Sequence, residues 1–237
     1  MTKIPDTLKM LKAGLHFGHR SSKWHPKMKP YIFTTRNDIH IIDLEKTRKA
    51  LKNACEFIED LSAKDGVILF LGSKPQIKEL VRKKAIEANS PSVVDRWLGG
   101  TITNFFIISQ VINKYNNLKK EKEDGGWDEK YTKKEQVVLR KEVERLEKKV
   151  GGIKNLKKIP DAIFIIDCKN EKTALNEAKL KKVPVIALCD TNINPDGIDY
   201  VIPGNDDSIK GIEMILGLVV EAIKNGRNKP INQKNNK

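Results

Sequence analysis

The stretch Gly66-Val67-Ile68-Leu69-Phe70-Leu71-Gly72 decides the fold. Its apolar run between two glycines offers no polar face to water, the composition of a strand buried on both sides of a parallel sheet. Downstream, Val93-Val94, Ala162 to Ile166, Val185 to Leu188 and Tyr200 to Ile202 read as further strands. Helical periods separate them. One follows Ser73, read as its cap, with Pro75 in its first turn. Another spans Glu171 to Lys181, and a last one starts near Asp206 and turns Ile209, Ile212, Met214, Ile215, Leu218, Val219 and Ala222 inward. Asp206, Asp207 and Ser208 read as the cap of that last helix. Upstream, Asp43 caps a helix running to about Leu61, with Leu44, Leu51, Ala54, Ile58 and Leu61 on one face. Strands alternating with helices predict an α/β fold, a parallel sheet with helices on both faces.

The alternation breaks between the second and third strands. Ile108, Val111, Tyr115 and Leu118, then Leu139, Val143, Leu146, Val150 and Ile153, recur in steps of three and four, the seams of a coiled coil. With Glu123-Asp124-Gly125-Gly126-Trp127 as linker, they predict an inserted antiparallel coiled-coil hairpin. From Lys114 to Val150 there are 12 basic and 9 acidic residues, the mixture of a solvated helix pair. The expected organisation is a basic segment with a hairpin at 1–42, a sheet domain at 43–106 and 154–225, the helical insertion at 107–153, and a disordered Asn/Lys-rich tail at 226–237.

The 237 residues are enough to bury a core without disulfides or metal. Lys and Arg number 45 against 31 Asp and Glu, a formal charge of +14, which favours a polyanionic partner. Half of it lies before residue 37. There Lys3, Lys9, Lys12, Arg20, Lys23, Lys27, Lys29 and Arg36 face one acid, Asp6. A short helix is expected from Asp6 to Gly14. Tyr31–Thr34 and Ile39–Ile42 are expected to pair as a β-hairpin through Asn37-Asp38. Cys55, Cys168 and Cys189 have no paired spacing and read as buried thiols of a reducing, intracellular protein. The first ten residues are not a secretory signal, and no window reaches the ~18 apolar residues of a membrane span.

Other features point toward an enzyme. Gly72-Ser73-Lys74-Pro75 follows a strand and opens a helix, where backbone amides can hold a phosphate. Asp95, Asp167 and Asp190 stand at carboxyl ends of strands, where α/β enzymes place their sites. Yet neither G-x-G-x-x-G nor G-x-x-x-x-G-K-[ST] occurs. His16, His19 and His25 lack the spacing of a zinc set, so no metal is expected. Aromatics and histidines interleaved with cations fit RNA better: Phe17, Trp24, Tyr31 and Phe33 among Arg20, Lys23, Lys27 and Lys29. Packing in the core is the alternative reading for some of those rings. Arg96-Trp97-Leu98-Gly99-Gly100 marks a close approach to a ligand or another chain.

These residues also carry a resemblance. Gly14–His19 (GLHFGH), Trp24–Pro30 (WHPKMKP), His40–Lys46 (HIIDLEK), Arg96–Gly100 (RWLGG) with Thr103-Asn104, Gly151–Ile153, Pro160–Ala162, Asp190–Asn192, Asp196-Gly197 and Ile202–Asp207 (IPGNDD) lie in order along the chain. Together they resemble the universal small-subunit ribosomal protein of the S-two family, bacterial or organellar branch. The resemblance implies a flavodoxin-like sheet domain carrying a coiled-coil hairpin, without catalytic activity, cofactor or small-molecule substrate. It implies contacts with small-subunit ribosomal RNA and neighbouring ribosomal proteins, including the large messenger-binding one in bacteria, on a cytoplasmic or an organellar ribosome and with no membrane. The phosphate partners expected are Arg20, Lys23, Lys27, Lys29 and Arg36. His16, His19 and Trp24 are expected at bases or sugars, with Arg96 and Trp97 beside them or packed beneath.

Overall fold

The computed structural model describes residues 2–229. The chain opens with α1 (Thr7–Lys12), whose N-cap Asp6 accepts from the Lys9 amide at 2.9 Å. Three strands then form an antiparallel sheet, β1 (Phe17–Arg20), β2 (Ile32–Arg36) and β3 (Ile39–Ile42), in the order β1-β3-β2. Asn37 and Asp38 take φ of +49° and +61°, the left-handed pair that closes a two-residue hairpin in register with strand twist. The hairpin is marked in the sequence, but β1 is not. A glycine and a histidine give β1 little strand propensity, so pairing with Ile39 and Ile41 creates it.

The remaining elements are α2 (Leu44–Ser62), β4 (Ile68–Leu71), α3 (Lys78–Glu87), β5 (Ser92–Val93), α4 (Phe105–Glu123), α5 (Gly126–Lys130), α6 (Lys133–Val150), β6 (Ala162–Ile166), α7 (Lys172–Lys181), β7 (Val185–Cys189), β8 (Tyr200–Pro203) and α8 (Ile209–Arg227). Five strands make an all-parallel sheet ordered β5-β4-β6-β7-β8. The second strand lies outside the first and the others follow in sequence, the flavodoxin-like winding. Every residue of β4, β6 and β7 is buried. Ile68, Phe70, Phe164 and Ile166 pack with α2, α3 and α8, whereas Leu69, Leu71, Ile163 and Ile165 pack with α4, α6 and α7. Strict alternation therefore feeds two cores, one on each face.

α4 and α6 lie against each other, the chain reversing through α5. Ile108, Ile112 and Tyr115 are buried with Val143, Leu146 and Val150, and Lys114 pairs with Glu142 at 3.0 Å. These side chains belong to the apolar cluster that also covers the sheet, so the pair is rooted in the core. The expected linker is partly helical: Trp127 is 3% exposed and its carbonyl accepts from the Gln136 amide group.

Local starts differ from the sequence reading. Ser73 does not cap α3, which begins at Lys78 after a turn and has no side-chain cap. Asp206 and Asp207 do not cap α8 either; Ser208 does, accepting from the Gly211 amide. Both carboxylates are drawn instead to Lys74. α8 runs on through Gly226 and Arg227, into the segment expected to be a tail. Residues 230–237 of that segment lie outside the described residues. Among the described residues no helix is long and apolar enough to cross a membrane.

Candidate nucleic-acid interface

The basic N-terminal segment is fastened to the carboxyl end of the parallel sheet. The His25 amide donates to the Thr191 carbonyl at 2.7 Å, and the His19 amide donates to Thr191 Oγ1 at 2.9 Å. Gly18 permits this approach, because a Cβ there would stand 2.7 Å from Thr191 Cγ2. Asn205 and Ser208 donate to the carbonyls of Gly14 and Ala13 at 3.1 and 2.6 Å. Met28 is fully buried beneath the segment. Cations on this segment are thus carried by a rigid support.

Beneath lies the crevice where α/β enzymes bind ligands. Lys74 Nζ meets Asp206 at 3.0 Å, Asp207 at 2.9 Å and Asp167 at 3.4 Å. Burial pushes the Asp206 carboxyl up to about 6, against the pull of Lys74. His19 Nδ1 stands 3.0 Å from Asp190 Oδ2, and Nε2 is 3.9 Å from Asp207. The contact with Asp190 raises the imidazole above its usual value, and burial opposes the rise. Four aspartates surround one lysine and one histidine on the floor of the crevice, and Arg20 and Lys23 line its opening beside Asp190 and Asp207. His19, Asp206 and Asp207 each offer a ligand atom, all within 4.8 Å of one another. The Lys74 ammonium already supplies a cation to both carboxylates. His16 and His25 do not join that group.

Each residue singled out by sequence has a definite place. Arg20, Lys23, Lys29, Arg36 and Arg96 are exposed and, among the described residues, stand in no ion pair. Lys27 is exposed but bridges to Asp196. Trp24 is half-buried with its ring 5.2 Å from that of His40. His16 is half-buried with its ring 3.9 Å from Phe17, and burial lowers its pKa. Trp97 is 7% exposed and donates its indole N–H to Glu177 of α7. The segment's freely exposed rings are instead Phe17 and Phe33, at 48% and 75%. The interleaving of aromatics with cations was the signal for them, but only the fold separates exposed rings from packed ones.

The family model of ribosomal protein S2 matches residues 10–226, which include this basic segment from Met10 onward, the whole parallel sheet and the helix pair. With the doubly wound five-stranded sheet and the motif blocks in order along it, the chain belongs to the ribosomal protein S2 family, structural proteins of the small ribosomal subunit.

Proposed function

We propose that the chain binds small-subunit ribosomal RNA through its N-terminal segment while the parallel-sheet domain holds that segment rigid. The observation that carries this reading is a set of exposed cations that have no acidic partner among the described residues, Arg20, Lys23, Lys29 and Arg36, on backbone anchored to Thr191 and Asn205. Free cations release counterions from phosphates on binding, whereas an ion-paired one must first give up its partner. Lys27 is therefore the weakest of the expected phosphate contacts. His19 and Trp97 support the interface from within.

The helix pair α4 and α6 is read as the antiparallel coiled coil expected from the heptad spacing, reaching a neighbouring ribosomal protein. Val137 and Val138 are exposed on its outer side at 49% and 63%. The ribosome concerned is the cytoplasmic one of a bacterium or that of an organelle. A nucleotide-using enzyme is the competing reading, and the floor of the crevice opposes it: Asp167, Asp190, Asp206 and Asp207 already hold Lys74 and His19, and their carboxylates repel a phosphate.

Gradient sedimentation of native lysate at low and then high salt tests the proposal. Co-migration with small subunits that persists at moderate salt and weakens at high salt is expected. Recovery only in the light fractions, beside intact subunits, overturns it. A thermal shift with nucleotides would revive the enzyme, since a ligand selective for the native state raises its melting point.

A further inference from the structure

The helix α7 differs from the other helices in where its charges go. Its two acids both turn inward. Glu171, the N-cap residue, is 4% exposed and turns to Ser73. Glu177 is 6% exposed and accepts amides from the loop before α4. The outward side is left to Lys172, Asn176 and Lys179, which are exposed and spaced four and three residues apart, so they stand on one line. Lys181 and Lys182, both exposed, follow at its end.

A solvated helix face ordinarily mixes both signs of charge. α2, α3 and α6 do so, each pairing an outward cation with an acid of the same helix: Lys52 with Glu56, Arg82 with Glu79, Arg145 with Glu142. Among the described residues Lys172, Lys179, Lys181 and Lys182 stand in no ion pair. Asp196 lies near Lys179, but it is bridged to Lys27. Lys179 also packs close to Gly197, where a Cβ would meet its Cδ at 3.3 Å. The row on α7 therefore adjoins the basic N-terminal segment at Lys27.

We propose that the outward face of α7 is a second RNA contact, laid against the phosphate backbone of a duplex. This rests on the RNA reading and adds a surface and the form of RNA it takes. Lys172 and Lys179 are roughly 10 Å apart along the helix axis, with the Asn176 amide between them to donate to a phosphate or sugar oxygen. A duplex turns its phosphates and 2′-hydroxyls outward and hides its base faces. From Lys172 to Lys182 the sequence has no aromatic residue, so an unpaired base would find no ring to stack on. A protein partner fits less well, because lysine is depleted at protein interfaces and Leu180, 75% exposed, is too little for an apolar centre.

The test uses the full chain, with binding followed by fluorescence anisotropy across a salt series. The probes are a perfect RNA duplex, a U-rich single strand of equal length and small-subunit ribosomal RNA. The variants are Lys172→Gln/Lys179→Gln, the charge-retaining Lys172→Arg/Lys179→Arg, and Asn176→Glu, each checked for an unchanged circular-dichroism melt. The glutamine variant is expected to flatten the salt dependence of duplex binding by roughly two units of log-log slope, one for each lost contact. Its single-strand slope should change far less. The arginine variant should keep the parent slope, and Asn176→Glu should weaken duplex binding by setting an acid in the row. An unchanged duplex slope, in a parent that binds ribosomal RNA, overturns the α7 contact and leaves the N-terminal reading standing. Equal flattening with duplex and single strand makes the face a general polyanion surface and sinks the duplex assignment. Loss of subunit association with RNA binding intact makes it a protein-docking surface and rules the proposal out. Failure of the parent to bind any of the three RNAs removes the RNA reading itself, and the α7 contact with it.

Discussion

Trp97 Nε1 donates to Glu177 Oε1 at 3.1 Å, and the same carboxylate accepts the amides of Gly100, Ile102 and Thr103 at 2.8, 3.0 and 3.1 Å. One buried side chain on α7 therefore holds the whole loop from Arg96 to Asn104. Burial alone would raise its pKa, but those donors outweigh burial and leave it lowered.

Glu177→Ala is expected to destabilise the fold by about 3 kcal/mol, because it strands several buried donors at once. A carboxylate with a lowered folded pKa contributes stability above its unfolded pKa, lost as pH falls through the folded one. Parent and variant melting curves should therefore converge in strong acid. A constant gap down to pH 2 would show that the charge of Glu177 is not what holds the loop.

His19 has the opposite sign. Its folded pKa is raised, chiefly by the hydrogen bond with Asp190, so its stabilisation is complete below the unfolded value of about 6.5 and fades as pH rises through the folded value. The melting-temperature gap between the parent and His19→Asn should be widest near pH 5.5 and shrink by pH 9. A gap that widens with pH would rule out a stabilising His19–Asp190 pair.

Lys27 and Lys29 are two residues apart and unequal. Lys29→Gln should flatten the salt dependence of ribosomal-RNA binding by roughly one unit of log-log slope. Lys27→Gln should change it less, because Lys27 already bridges to Asp196. Equal changes in the two slopes would mean that the bridge opens on binding.

Gly217 and Gly226 both lie in α8. A Cβ at Gly217 meets nothing within 4 Å, whereas one at Gly226 would stand 2.3 Å from the Glu59 carbonyl of α2. Gly217→Ala should raise stability by about 1 kcal/mol through helix propensity. Gly226→Ala should lower it by about 2 kcal/mol through overpacking. Chemical denaturation of both variants checks the pair, and a shared sign would contradict this packing of α8 on α2.

The fold was legible wherever one force dominated. An apolar run such as Ile68–Leu71 has no alternative to burial on both faces, and the period of α8 gives Ile212, Ile215 and Val219 a single inward side. Local capping was less legible, because Asp206, Asp207 and Ser73 are all competent caps. Asp206 and Asp207 were claimed by Lys74, a residue 132 positions away from Asp206. The interface was legible as charge, since half the excess sits before residue 37. Which members of the segment are free was not. His16, His19, Trp24 and Trp97 look as available in sequence as Phe17 and Phe33.

The sequence by itself determined the doubly wound sheet and the basic character of the first 36 residues, because burial of apolar runs and net charge are properties of local composition. Tertiary structure alone decided the strand β1, the bulge at Phe33, the pairing of Lys27 with Asp196 and the burial of Trp97 against Glu177. Each of these depends on which distant backbone or carboxylate arrives within about 3 Å, the reach of a hydrogen bond, and no local pattern encodes that.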